Sequence, residues 1–496
     1  EQPAFGDIEY TFKHALTQEV AYNSILIERR KTLHERIGAA IEELFKNSRE
    51  DHLSELADHY ARSSNIEKAV EYLAMAAKRE LSQSGYQGAL RRLENAIELF
   101  AKLPDSPERA ELELDLQIDY GAALLVTRGW WVPEAGKAFS RARELCQQKV
   151  EDPRLYKVLS GLHSFHLVRG EHPKALAYID ELIALADRFR NDAMQADAHL
   201  QSGFSKFFMG DFADAHSSLE LCIGYHAGQP LITTGHAPAD QDPLMSALCY
   251  DAMTLWILGY PDQAANRASK SLERARELGS PFTLTWCLSQ LGMYYTIRRD
   301  FDAAERTTTE ALSLARKHGL AFLETQILAY RLIGSAAQGK FGQTGDSASS
   351  ESGFADVGYE LAHTWARSIL AQGFASVGQL DTALALIAQS VDLVEKNQER
   401  YVESEVHRIR GELTLLQAKD ASAAEQSYTK AIKIARMQRA KSLELRAAIS
   451  LAHLMRDTDR RAEARAVLTE IYNQFTEGLN TPDLKEAKSL LADLGA

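Results

Sequence analysis

The sequence has few cysteines and no long apolar run, and both absences narrow the class of protein. Its 496 residues include only the cysteines 146, 222, 249 and 287, and none is spaced as Cys-x-x-Cys. A disulfide framework is therefore not expected, and we predict buried thiols in a reducing cytoplasm. No apolar stretch approaches the roughly 18–20 residues that a membrane-spanning helix needs, so no membrane partner is expected.

Positive charge is outnumbered, since 56 Lys and Arg residues stand against 69 Asp and Glu residues. The formal net charge is −13, which argues against a general nucleic-acid surface or an anionic-membrane surface. The basic clusters Arg29–Lys31, Arg91–Arg92 and Arg460–Arg461 are short and lack interleaved aromatic residues. We assign them to solvated helix faces and expect no nucleic-acid partner.

Catalytic and metal-binding motifs are missing as well. There is no His-Glu-x-x-His, no Gly-x-Ser-x-Gly and no Cys/His cluster with zinc spacing, so we predict no catalytic residue, metal or cofactor. The segment Gly334–Phe341 is close to a P-loop, but Phe341 stands where Mg²⁺ needs Ser or Thr, which favours a glycine-closed turn. His163 and His166 lie three apart on one predicted helix. A metal pair is one interpretation of them, and packing and surface roles are the favoured one.

What the sequence does contain is a repeat. Ser280–Gly319 reads as two amphipathic helices joined by a tight turn at Arg299–Asp300. Gly292 and Ala304 are small enough for the two helices to cross closely, and Trp286 is placed to fill the wedge between neighbouring pairs. This pattern resembles a tetratricopeptide repeat (TPR).

The same unit recurs along most of the chain, and its turns are marked by alanine and glycine. An alanine follows each predicted turn but one, about every 40 residues, at positions 135, 175, 215, 264, 304, 383, 424 and 464, and Thr stands at position 344, where the remaining alanine is expected. A glycine stands five residues before this position at 170, 210, 259, 339 and 378, where a helix closes with positive φ. The spacing predicts an all-α fold, a right-handed tetratricopeptide-like α-solenoid of ~40-residue helical hairpins.

Three other stretches resemble one bacterial family. Phe12–Tyr22, followed by Leu33–Ile37, looks like the end of the winged-helix portion of a STAND-type ATPase of the adenylate/guanylate cyclase-associated family. Gly235–Pro238 with the segment that follows from Leu255, and Phe475–Lys488, resemble the middle and the end of the same family. The family usually has Asp after the His of the middle signature, and this chain has Ala there.

The resemblance and the repeat together predict four regions. Residues 1–50 are the end of a winged-helix-like segment with a short strand around Ile8, and 51–128 are atypical first helical pairs. Residues 129–480 are the solenoid, with a Gly/Pro-rich loop at 227–243 and a segment of poor helix propensity at 342–358. Residues 481–496 form a C-terminal capping helix. The chain begins at Glu1 without Met, so we expect it to belong to a longer protein.

The inner face of the solenoid is the predicted effector or partner site. Counting back from the turns places an aromatic and apolar stripe on the first helices of three successive pairs, beside the loop that holds His236. Its residues are Phe204, Phe207, Phe208, Met253, Trp256, Trp286 and Met293. One interpretation is a docking groove for a peptide, a protein or a small effector. The other is that a tight superhelix packs its own inside.

The resemblance implies a function that the repeat alone does not. The predicted function is that of a regulatory, sensing and interaction region of a multidomain bacterial signalling ATPase fused to a class III nucleotide cyclase. The ATPase and cyclase domains of the parent would be its partners, and His14 would be a remnant contact to nucleotide. The alternative is a plain scaffold for complex assembly that binds no effector.

Overall fold

The computed structural model describes residues 2–4, 7–9, 14–83, 85–104, 106–147, 152–226, 242–340 and 360–495. The chain forms two compact units, Glu1–Ala123 and Leu124–Ala496. The predicted weak segment 342–358, most of the predicted loop 227–243 and the candidate residue His236 lie outside the described residues.

The first unit opens with a small hairpin and continues as helices. Strands β1 and β2 pair antiparallel, with Gln2 opposite Glu9 and Ala4 opposite Asp7. The elements are β1 Gln2–Ala4, β2 Asp7–Glu9, α1 Ala15–Ser24, α2 Ile27–Leu44, a 3₁₀ turn Arg49–His52, α3 Leu53–Tyr60, α4 Ile66–Ser82, α5 Tyr86–Phe100 and α6 Pro107–Thr127, whose last four residues are assigned to the second unit.

A polar contact inside the first unit fixes how α2, α3 and α4 pack. Glu42 accepts hydrogen bonds from Tyr72 Oη at 2.6 Å and from Lys68 Nζ at 2.5 Å. Tyr60 and Tyr72 stack with their ring centroids 5.3 Å apart. The side chain of Asn65 accepts from the Lys68 backbone N–H and caps α4, as Asn does at many helix starts.

The second unit is built of helical pairs. Its helices are α7 Pro133–Gln147, α8 Arg154–Val168, α9 His172–Leu176, α10 Ile179–Phe189, α11 Asp192–Met209, α12 Phe212–Tyr225, α13 Pro243–Leu258, α14 Pro261–Leu278, α15 Pro281–Ile297, α16 Phe301–Lys317, α17 Ala321–Ala337, α18 His363–Ser376, α19 Leu380–Asn397, α20 Glu403–Ala418, α21 Ala421–Met437, α22 Lys441–Asp457, α23 Arg461–Tyr472 and α24 Pro482–Gly495. Apart from the hairpin of the first unit, every regular element of the described chain is helical, which confirms the all-α prediction.

The predicted repeat register is confirmed at its turns. All of the turn alanines are buried, and each predicted closing glycine has a positive φ, between +67° at Gly170 and +93° at Gly259. Three pairs reach the same left-handed conformation without glycine, at Arg299, Lys419 and Asp459. The turn is therefore set by its backbone geometry, and glycine is its usual but not its obligatory residue.

Close crossing within a pair depends on small residues, as predicted. A Cβ added at Gly292 in α15 would collide with the Thr308 methyl group of α16. At Gly411 in α20 it would come 2.6 Å from the ring of Tyr428 in α21. These glycines let the helices approach to a distance at which any larger residue would have to displace its neighbour.

The second unit returns on itself, so that late helices contact the ends of early ones. The carbonyl of Val168 accepts from the Glu360 and Leu361 N–H groups at 2.9 and 3.1 Å, and that of Phe208 accepts from Arg400 and Tyr401 at 2.8 and 3.1 Å. Further along, Ser442 Oγ donates to Trp256 O at 2.5 Å, and Arg446 Nη2 donates to Ile297 O at 2.6 Å. Four successive inner helices, α8, α11, α13 and α15, are thus covered at their C-terminal ends by the segments that lead into or form α18, α20 and α22.

Two further predictions are settled by the described residues. All four cysteines are buried and free, as expected for small apolar residues. The P-loop-like segment is a helix end, since α17 finishes at Ala337 and Gly339 follows with φ +68°.

In the described residues, no helix has the length and apolar character that crossing a membrane requires.

Candidate functional site

Side chains from the first helices of successive pairs enclose a cavity of about 90 Å³, here called the inner cavity. Helices α8, α11, α15 and α17 contribute residues at i, i+4 spacing, because that spacing keeps side chains on one helix face, and α13 contributes Tyr250. The lining residues are Trp130, Ser160, Ser164, Leu167, Val168, Asp197, Leu200, Gln201, Phe204, Phe208, Tyr250, Trp286, Gln290, Phe322, Gln326, Tyr330, Leu361 and Ala362. Such a volume accommodates several water molecules or one small chemical group.

Three residues of the predicted stripe line the inner cavity. These are Phe204, Phe208 and Trp286. Phe204 is half-buried, and Trp286 is 9% exposed. Tyr250 joins them into one aromatic wall, with ring centroids 4.2 Å from Phe204 and 6.4 Å from Trp286.

The other described residues of the stripe are packed in the core. Phe207, Met253 and Met293 are buried members of the large apolar cluster of the second unit. Trp256 is buried beneath Arg446, whose guanidinium carbon lies 4.8 Å from the indole centroid. The structure thus divides the predicted stripe between a cavity wall and an internal contact surface.

The cavity also contains polar residues that sequence reasoning missed. Asp197 and Gln201 precede Phe204 and Phe208 on the same face of α11, and Gln290 follows Trp286 by four residues on α15. This spacing was visible in the sequence as i, i+4 and i+7 steps, but only the aromatic members of the face were picked out.

Asp197 is a buried carboxylate held by neutral donors. It is 2% exposed and accepts a hydrogen bond from Gln201 Nε2 at 2.6 Å. Tyr156 Oη lies 3.0 Å from it and shares its single proton with the Met194 carbonyl, which is nearer at 2.6 Å. Burial raises the pKa of Asp197 to about 6, although the hydrogen bonds from Tyr156, Gln201 and Ser160 favour its ionised form. No cation of the described chain forms an ion pair with it.

A second and larger cavity, of about 370 Å³, has charged walls whose charges neutralise one another. Arg408 donates to Glu405 at 2.6 Å and also to Glu412, while Arg446 pairs with Asp483 at 2.9 Å. Burial opposes ionisation of Glu405, but Arg408 outweighs it, and the pKa of that carboxyl is lowered. These side chains form a paired network, and no charge in the network calls for a ligand.

A cluster outside both cavities has the residue types of a metal site. Potential ligand atoms of His216, Glu220 and Asp251 lie within 4.8 Å of one another. Arg267 already bridges the carboxylates, with its Nε 2.9 Å from Asp251 and its Nη2 on Glu220, and His216 Nδ1 is 2.6 Å from Asp251. The Arg267 guanidinium supplies the positive charge that a metal ion would supply, so we assign the cluster to ion pairing.

The remaining histidine candidates are placed as follows. His163 is buried with Nε2 2.9 Å from Ser205 Oγ, and His166 is half-buried with Nδ1 2.7 Å from Glu171, so each contacts a different neighbouring side chain. His14 is exposed and precedes α1, and its side chain makes no capping hydrogen bond in the described chain.

Comparisons with known proteins give a fold but no family. No family model matches the chain. An uncharacterized protein of Rhizobium meliloti (strain 1021) is 22% identical over 462 residues, which are 90% of this chain and 44% of that protein. The chain therefore spans less than half the length of this curated relative.

Solved structures provide the structural comparison. The crystal structure of a Rap protein complexed with competence and sporulation factor matches with a TM-score of 0.56 at 11% identity, over 74% of this chain and 98% of that chain. The Cut9–Hcn1 hetero-tetramer of APC/C matches with a TM-score of 0.48 at 13% identity, over 97% of this chain and 98% of that chain. Together with the repeat register, the match to the Rap protein shows that the chain has a TPR-like helical-repeat fold.

Proposed function

We propose that this chain is the regulatory and interaction region of a larger bacterial signalling ATPase fused to a class III nucleotide cyclase, and that an effector binds in the inner cavity. The observation that carries the proposal is the cavity itself, whose wall combines four neighbouring aromatic rings with a buried carboxylate and carboxamides. A packing defect would be lined by apolar groups, whereas ligand sites combine an apolar wall with a few placed polar groups.

The position of the cavity provides a route from binding to regulation. Its wall includes Leu361 and Ala362, which belong to the segment that returns onto the end of α8. The Ala362 and Thr364 N–H groups donate to the buried carboxylate of Glu399 at 2.5 and 3.2 Å. An occupant that touches both α11 and this segment would stabilise the closed form of the second unit. A neighbouring domain that binds the closed form preferentially would then change its own conformation when the occupant binds.

The comparisons support a larger parent and a ligand-binding role. The relative from Rhizobium meliloti is more than twice as long as the part that this chain matches. The Rap protein is complexed with competence and sporulation factor in its crystal structure, so a related fold accommodates a bound factor. The inner cavity has room for a small effector, or for a single side chain of a bound peptide.

An exposed apolar surface on α1 and α2 supports the proposed partner. Leu16 and Leu26 are each more than 70% exposed, and Val20 and Ile27 more than 60%, and these four lie on α1 and at its junction with α2. Apolar side chains exposed together on a folded protein mark interaction surfaces. Since this segment resembles the end of a winged-helix portion, we assign the surface to the ATPase module of the parent.

The test uses the full-length parent and a variant that fills the cavity. Ser164→Phe places a ring in the inner cavity from a half-buried wall position, and Ser217→Phe places the same ring on the exposed face of α12 as its control. We expect Ser164→Phe to change ATP hydrolysis or cyclic-nucleotide formation by about fivefold or more, and Ser217→Phe to leave both unchanged. Equal turnover in the wild type and both variants would favour the plain scaffold. A parent without either activity would contradict the assignment to a signalling ATPase.

A further inference from the structure

The described lining of the inner cavity contains one negative charge and no opposing positive charge. Asp197 is the only Asp, Glu, Lys, Arg or His residue in the described lining. The two side chains within hydrogen-bond distance of it, Gln201 and Tyr156, are neutral, and Tyr156 shares its proton with the Met194 carbonyl. This differs from the charged cavity, where Arg408 and Arg446 neutralise the carboxylates beside them. A buried carboxylate without a cation is costly, and a bound cation would reduce that cost.

The neighbouring carboxamide adds a second acceptor without a partner. Gln201 is 5% exposed, and its Nε2 donates to both Asp197 at 2.6 Å and Ser160 Oγ at 2.8 Å. Its Oε1 is buried and has no hydrogen-bond partner in the described chain. Buried acceptors are normally satisfied, so this oxygen indicates a missing donor. The polar part of the cavity therefore calls for a group that donates hydrogen bonds or carries positive charge.

The apolar part of the cavity suits the same kind of group. The aromatic wall defined above extends from Phe208 through Tyr250 to Trp286, with the Phe208 and Tyr250 centroids 6.0 Å apart. Ring faces attract ammonium groups, most strongly where water is excluded. A wall of this composition would bind the methyl or methylene groups of an organic cation while the carboxylate neutralises its charge.

We propose that the inner cavity is a binding site for an organic ammonium ion, held by the Asp197 carboxylate and the aromatic wall of Phe204, Phe208, Tyr250 and Trp286. This inference rests on the proposed role of the cavity as an effector site and names the chemical class of the effector. An anion is excluded by the Asp197 charge, and a neutral ligand would leave that charge uncompensated.

The test measures binding of choline to the purified chain by calorimetry and by tryptophan fluorescence. The neutral isostere 3,3-dimethylbutan-1-ol has the same shape without the charge. At pH 8 we expect choline to bind about tenfold or more tightly than the isostere. Asp197→Asn should remove this preference, whereas Asp192→Asn, which deletes the same charge at an exposed position of α11, should retain it.

A second variant and a pH series test the proposal independently of whether Asp197→Asn folds. Phe204→Leu alters a half-buried part of the wall and should weaken choline binding while leaving the circular dichroism spectrum unchanged. Lowering the pH from 8 to 5 should also weaken it, because Asp197, whose pKa is raised to about 6 by burial, becomes protonated. The titratable groups that face Asp197 are the Tyr156 hydroxyl and the Cys222 thiol, and burial raises the pKa of both well above the ordinary value, so they stay neutral in this range.

The outcomes separate this inference from the proposed function. If the isostere binds as tightly as choline, the cavity remains an effector site and the ammonium assignment is wrong. If neither compound binds while Ser164→Phe still alters turnover of the parent, the cavity regulates through a different class of ligand. Binding of choline that survives Asp197→Asn and Phe204→Leu would place the ammonium site elsewhere.

Discussion

At the residue scale, single methyl groups decide whether a helical pair can close. Gly292 faces the Thr308 methyl group without room for a Cβ, whereas Gly334 has only Thr296 Oγ1 within 4 Å, at 3.8 Å. Alanine is otherwise preferred over glycine in a helix by roughly 0.5–1 kcal/mol. The two glycines therefore give opposite expectations for the same substitution.

We expect Gly292→Ala to lower the free energy of unfolding by about 1–3 kcal/mol, because the added methyl overpacks the crossing. Gly334→Ala, the matched control, should raise it by about 0.5 kcal/mol, because room is available. Chemical denaturation of both variants provides the comparison. Thr308→Ser retains the hydroxyl that donates to Ala304 O and removes the methyl, so it should rescue Gly292→Ala. Absence of rescue would mean that the clash is not with Thr308.

Buried histidines give the second unit a dependence on pH. His172 is fully buried against Phe208, with ring centroids 5.8 Å apart, and neither ring nitrogen has a partner in the described chain. Burial lowers the pKa of His172 to about 4 from its ordinary 6.5. The stability that neutral His172 contributes is therefore present above pH 6.5 and is lost as the pH falls toward 4.

We expect His172→Leu to reduce the loss of stability between pH 7 and pH 5 by about 1–2 kcal/mol, because the unfolded chain no longer gains a proton there. His318→Leu, at an exposed helix end, serves as the control. Burial raises the pKa of Asp197 to about 6 and that of Glu399 to about 7, so the stability that their protonated forms contribute to the fold is lost as the pH rises. The comparison must therefore be made between variants at each pH, and equal pH slopes for wild type and His172→Leu would contradict the prediction.

At the element scale, the helical pair was predictable from sequence because its signals are local. The turn alanines and the closing glycines lie within a few residues of the turn that they shape, and both were located correctly. The inner cavity was predictable only in part. Phe204, Phe208 and Trp286 were assigned to the inner face and line the cavity, but Asp197 and Gln201 were overlooked because polar residues on a helix are usually solvated.

The turns that lack glycine offer a test of the same local geometry. Lys419 is exposed, has φ +52° and ends α20 in the left-handed region, which costs a residue with a Cβ roughly 1–2 kcal/mol. We expect Lys419→Gly to raise the free energy of unfolding by about 0.5–1 kcal/mol, after the extra flexibility of glycine in the unfolded chain is subtracted. The thermal midpoint should rise accordingly. Lys433→Gly, exposed inside α21, should instead cost about 1 kcal/mol. Destabilisation by both substitutions would show that Lys419 makes a contact that outweighs its strain.

At the scale of the whole second unit, the return of the chain onto itself was not predictable. The Phe208 carbonyl accepts from the Arg400 and Tyr401 N–H groups, which are about 190 residues away in sequence. No sequence pattern in either segment predicts this contact. Met253 and Trp256 were assigned to the inner face, but whether that face is an open groove depends on the next turn of the superhelix. Of the two interpretations left open, self-packing therefore describes Trp256 and the ends of α13 and α15, and the inner cavity remains beside Val168, Phe208 and the returning residue Leu361.

Arg446 is the residue through which this closure can be tested. Its guanidinium lies over the Trp256 ring at 4.8 Å, donates to Ile297 O at 2.6 Å and pairs with Asp483 at 2.9 Å. We expect Arg446→Met to cost about 2–4 kcal/mol, because it leaves a buried carboxylate with Arg299 as its remaining partner. Arg465→Met, at an exposed position of α23, should change stability by less than about 0.5 kcal/mol.

Hydrogen exchange and a double variant show whether Arg446→Met loses stability because the late helices no longer contact the ends of the early ones. In Arg446→Met, amides at the end of α13 and the start of α24 should exchange faster together, because the residue that joins them is gone. Asp483→Asn removes the charge left without its partner, so Arg446→Met should cost less in that background than alone. Equal costs in both backgrounds would mean that Arg446 acts by covering Trp256. Faster exchange confined to α22 would mean that the contact is local and that the rest of the superhelix closes without it.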